Sequence, residues 1–150
     1  MKLAEALSER SDIRSRISQL ENRLDMNARV QEGEQPSEDP EVLLAELNGL
    51  TDRLEELITR INLTNAATIC DGEPLTALLA RRDCLTLRVN AMRSFLNEAS
   101  SLASRGMRSE IKILSTVNVK EYRAKTDALA KALRELDVRI QATNWTTELQ

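Results

Sequence analysis

The chain has 150 residues, 41% hydrophobic and 30% charged, with a net charge of −3 and a pI near 5.2. This apolar content supports a core, excludes global disorder, and fits one domain spanning 1–150. There is no histidine, which excludes a Ser-His-Asp triad, a Cys-His nucleophile pair and histidine metal ligands.

The first predicted element is a helix over about 2–29. Its apolar residues recur at spacings of three and four, giving a seam of Leu3, Ala6, Arg10, Ile13, Ile17, Leu20, Leu24 and Asn27. Gln31 to Pro40 breaks the pattern with Gly33, Pro36 and the acids Glu32, Glu34, Glu38 and Asp39. Asp39-Pro40 then starts a second helix, Asp as cap and Pro in the first turn. That helix runs to about 64 on Leu43, Leu47, Leu50, Leu54, Leu57, Ile61 and Thr64. Leu44 and Ile58 add apolar surface beside this seam.

A short extended piece is predicted near 66–70, turning at Asp71-Gly72. A third helix follows over about 75–105, with Leu78, Arg82, Leu85, Val89, Met92, Leu96, Ala99 and Ala103 on its seam. Leu79, Phe95 and Leu102 widen it, and Gly106 is a C-terminal cap candidate. Residues 110–117 alternate imperfectly and suggest a second extended piece. Asn118 with Glu121 resembles a capping box opening a fourth helix over about 119–144, on Val119, Tyr122, Thr126, Leu129, Leu133, Leu136, Ile140 and Thr143. The expected fold is all-α: four long antiparallel helices in a bundle. Only Phe95, Tyr122 and Trp145 are aromatic, and an aliphatic core suits such packing.

Three polar groups are candidate sites. Glu32 and Glu34 in the acidic loop offer oxygen ligands for Mg²⁺ or Ca²⁺, although the spacing matches no EF-hand and the plainer reading is a solvated loop. Arg10 and Arg82 sit on apolar seams and need carboxylate or anion partners, which gives either an anion pocket or ion pairs fixing helix register. Asn62 and Asn65 end helix two as Asn144 and Trp145 end helix four, and an up-down-up-down bundle brings these ends together. They would line a small pocket, or cap the helices with Trp145 covering the bundle end.

Other chemistry is absent from the sequence. No Gly-rich phosphate loop or paired-carboxylate helix motif occurs, so no cofactor is expected. Acidic and basic residues alternate along the helices, the mark of solvated faces rather than of a nucleic-acid partner. Cys70 and Cys84 form no Cys-x-x-Cys pair and read as free thiols. Neither a leader nor a run near the roughly 18 apolar residues of a membrane span is visible, which gives a cytoplasmic expectation with no membrane partner.

Several strings in order carry a family resemblance: Met1-Lys2-Leu3-Ala4-Glu5-Ala6-Leu7, Asn27-Ala28-Arg29-Val30-Gln31-Glu32-Gly33-Glu34, Arg60-Ile61-Asn62-Leu63-Thr64-Asn65, Leu79-Ala80-Arg81-Arg82-Asp83, Arg108-Ser109-Glu110-Ile111-Lys112 and Asn144-Trp145. With them the chain resembles the small bacterial proteins called septicolysin-like. The resemblance implies a cytolysin and carries over no catalytic residue. The residues themselves point to a non-enzymatic homo-oligomer with a structural or interaction role. A membrane-active cytolysin, or a protein binding a small ligand or metal through the 31–39 loop and the terminal Asn residues, are the alternatives.

Overall fold

The computed structural model describes residues 1–101 and 112–150. Among these the chain is all-α apart from one tiny hairpin. The elements are α1 (Leu3–Asn27), α2 (Pro40–Ala67), β1 (Ile69–Cys70), β2 (Glu73–Pro74), α3 (Leu75–Ser100) and α4 (Val119–Thr146). They cluster into two compact units, Met1–Pro74 with Ala142–Gln150, and Leu75–Gln141.

In the first unit α1 and α2 run antiparallel. The ion pairs show it: Arg23 meets Glu38, Arg16 meets Glu46 at 3.1 Å, and Arg53 meets Glu9 at 2.7 Å, so residue numbers rise on one helix as they fall on the other. Between them lie Leu3, Ala6, Ile13 and Leu20 of α1 and Leu43, Leu50, Leu57 and Ile61 of α2, all buried. Each set follows the seven-residue alternation of the sequence seam. The polar seam member Asn27 is buried because it is used. Its Nδ2 donates to the Arg23 carbonyl at 2.8 Å and its Oδ1 accepts from the Glu38 amide at 3.0 Å, tying the end of α1 to the end of the loop.

Asp39 caps α2 as expected, its carboxylate accepting from the Glu41 amide at 2.9 Å, with Pro40 in the first turn. The helix continues through Ala67, so residues 66–67 are helical and the extended piece shrinks to Ile69–Cys70. The Thr68 amide and hydroxyl both bond back to the Thr64 carbonyl, which holds the last turn closed. β1 pairs antiparallel with β2 in the register Ile69–Pro74 and Cys70–Glu73. Asp71 and Gly72 form the turn at φ +52° and +85°, the left-handed values that a two-residue primed turn needs and that Asp-Gly supplies.

The second unit is also an antiparallel helical hairpin. Arg82 approaches Asp137 at 4.0 Å, and Phe95 meets Tyr122 edge-on with ring centroids 6.5 Å apart. Leu75, Leu78, Val89 and Leu96 of α3 are buried, as are Thr126, Ala130, Leu136 and Ile140 of α4. Asn118 caps α4 by accepting from the Glu121 amide at 3.2 Å. Residues 112–117 form a loop and no strand, a correction to the extended piece predicted there; Ser115 bonds locally to Val117 instead of to a neighbouring strand. The rest of that piece at 110–111 lies outside the described residues, as do Leu102, Ala103 and Gly106 at the expected end of the third helix.

Candidate functional site

The predicted site residues do not converge. Glu32 and Glu34 stand exposed in the loop, and among the described residues no cluster of acids and thiols is placed to hold a metal. Arg10 is half-buried on α1 and makes no ion pair within 4 Å among the described residues. Its neighbour Glu9 is taken by Arg53 of α2, whose Nε and Nη2 donate to the two carboxylate oxygens at 2.7 and 3.0 Å. Arg53 also donates to Glu56 at 2.7 Å. These bonds hold the Glu9 and Glu56 carboxyls below their ordinary range and raise the Arg53 guanidinium. Arg82 is half-buried, donates to Asp83 at 3.0–3.1 Å and faces Asp137. Arg82 thus has an ion-pair partner on the neighbouring helix α4, whereas Arg10 has none among the described residues.

The ends of α2 and α4 do lie together, and they build a lock on the chain termini. Leu3 donates its amide to the Thr147 carbonyl, and Leu149 donates to the Met1 carbonyl, each at 2.9 Å. Lys2 pairs with Glu148 at 2.5 Å. The Gln150 amide donates to the buried Thr64 hydroxyl at 3.0 Å, and Arg60 Nε donates to the Gln150 carbonyl at 2.6 Å. Thr143 donates to Cys70 Sγ at 3.3 Å. Asn144 is buried here, Asn65 half-buried and Asn62 exposed. Trp145 does not cover the end as expected: it is 62% exposed. One residue past Asn144 is a turn of about 100° round the helix, which carries the indole off the inner face, and Leu149 fills the interior instead. Both cysteines are free thiols, Cys84 exposed and Cys70 half-buried.

The most distinctive surface is one that a single-seam reading of the sequence passes over. Ala77, Ala80, Cys84, Leu87, Ala91 and Phe95 of α3 are all exposed, with Leu87 at 70% and Phe95 at 45%. Their spacings of three and four place them in one stripe about 27 Å long, on the side of α3 away from Leu78, Val89 and Leu96. Arg81 and Arg88 border it, lining with Cys84 and Leu85 an open groove. The signal was in the sequence as a second heptad-like series running beside the first. A second groove, of about 290 Å³ between α3 and α4, has Arg93 and Arg123 on its walls and Thr126 at its floor.

Charge is divided between the units. Met1–Pro74 with Ala142–Gln150 carries 8 Lys/Arg and 17 Asp/Glu, net −9, whereas Leu75–Gln141 carries 13 and 7, net +6. The near-neutral total hides this separation.

Fold and surface thus define an all-α protein of helical hairpins with an uncovered apolar stripe. The chain belongs to a family of unknown function, DUF6847, which it matches over residues 10–149. It is similar to a solved structure described as a functionally unknown conserved protein from Corynebacterium diphtheriae, at 43% identity, covering 100% of this chain and 99% of that one, with a TM-score of 0.95. No curated protein matches. These findings overturn the septicolysin-like resemblance, because neither the family nor the solved relative points to a septicolysin, and the strings that carried it contain no mechanistic motif. No helix among the described residues is long and apolar enough to cross a membrane.

Proposed function

We propose that this chain is a non-enzymatic interaction protein that works as a homo-oligomer, with the outer stripe of α3 at the subunit interface. The observation that carries this reading is the stripe itself. Six residues, five of them Ala, Leu or Phe and the sixth Cys84, follow helical spacing on an exposed face of α3, where only Phe95 at its end reaches Tyr122 of α4 among the described ring contacts. Isolated exposed apolar residues are ordinary on a protein surface, but a continuous strip is characteristic of an interface. Ala at three of the six positions lets a second helix approach closely, and Leu87 and Phe95 supply the bulk that fills such a contact.

Cys84 gives the reading a built-in probe, since it lies midway along the stripe. Its alkylation by a maleimide should slow as protein concentration rises through the micromolar range, because association covers the thiol. A rate independent of concentration and equal to that of the urea-unfolded chain would show the stripe uncovered and overturn the reading.

A further inference from the structure

We infer that the α3 stripe docks on the outer face of α2 in a second copy of the chain, an acidic face meeting a basic one; this rests on the oligomer reading above. The two units carry net charges of −9 and +6. Two like units would repel on meeting, whereas unlike units attract over a Debye length of about 8–10 Å at moderate salt.

The helix faces sharpen this. At 100° per residue, Glu41, Leu44, Asp52, Glu55, Asn62 and Leu63 share the side of α2 away from its buried seam. All six are exposed, and no Lys or Arg is among the residues of that side. The two arginines of α2 are turned elsewhere: Arg53 to Glu9 and Arg60 to the Gln150 carbonyl. The outer face of α2 therefore offers carboxylates interleaved with leucines. The α3 stripe offers apolar residues bordered by Arg81 and Arg88. Each face supplies what the other lacks. Every copy carries both faces, so each copy can both offer and receive the contact.

Charge exchange tests the pairing. One variant carries Arg81→Glu with Arg88→Glu, the other Asp52→Lys with Glu55→Lys, and circular dichroism establishes that each keeps its helices. Each variant alone should self-associate roughly tenfold or more weakly than wild type, as like charges are brought opposite one another. Mixing the two should restore association, since each then meets a complementary face. Raising salt toward 1 M should weaken the wild-type assembly and leave the leucines to hold what remains. An assembly whose strength is unchanged by both variants and by salt overturns this pairing while leaving the oligomer reading standing. A wild-type chain that is monomeric at every salt concentration overturns both. Association of the full chain with an oligonucleotide, abolished by Arg81→Glu with Arg88→Glu while self-association persists, would assign the basic border to nucleic acid and also overturn the pairing.

Discussion

Single side chains decide how the first unit holds together, and they do so in ways the sequence half discloses. Leu57 is fully buried between α1 and α2. Leu57→Ala should cost about 2–5 kcal/mol of stability, read as a lower urea midpoint, because transfer energy is lost and a cavity is left. An unchanged midpoint would mean the seam is not the core. The carboxylates set the pH response. Glu9, Glu38 and Glu56 are all held below the ordinary value of 4.5, in each case first by a hydrogen bond from an arginine. A carboxyl depressed in the folded state contributes stability that is present above its unfolded value and lost as pH falls through the folded one. Stability should therefore be level above about pH 5 and decline progressively below 4.5. Arg53→Met should flatten that decline, and a variant with the wild-type acid profile would remove Arg53 from the explanation. That Leu57 is buried was legible from its spacing. That Arg53, rather than the adjacent Arg10, takes Glu9 was not, since Arg53 lies 44 residues away in sequence and only the packing of α2 on α1 brings it there.

At the scale of elements the sequence is most legible where local chemistry and periodicity agree. The helix start at Asp39-Pro40, the Asp71-Gly72 turn and the Asn118 cap each depend on a few adjacent residues and appear as read. Asp39→Ala should cost α2 about 1 kcal/mol, the worth of one terminal amide left without its side-chain acceptor, with the loss visible as a lower thermal midpoint. No change would show that water replaces the cap without penalty. Extended pieces were less legible. A strand needs a partner as well as alternation, so Ile69–Cys70 forms beside Glu73–Pro74 while 112–117, with no partner strand among the described residues, is a loop. The α3 stripe was passed over for a related reason. One helix carries two apolar series, and choosing the stronger as the seam leaves the weaker to be counted as extra width, as Phe95 was. Once Leu78, Val89 and Leu96 are known to be inside, the second series is seen to face outward.

For the molecule as a whole, all-α architecture was readable from composition and period, whereas the sorting of charge into two units was not, because it depends on where the chain is divided. Acidic and basic residues do mix along every helix, so the alternation that argued for solvated faces is real. It coexists with a net −9 in one unit and +6 in the other. The unlike charges and the stripe together account for a surface that a solitary chain would leave uncovered. The family match says nothing of role, so the proposed function rests on this surface. Light scattering coupled to size exclusion, comparing wild type with Leu87→Asp at micromolar concentration, tests the claim most directly. The wild-type mass should be at least twice 16.9 kDa, and the Leu87→Asp mass 16.9 kDa with unchanged helical content. A wild-type mass of 16.9 kDa, or a larger mass that Leu87→Asp leaves intact, would contradict it.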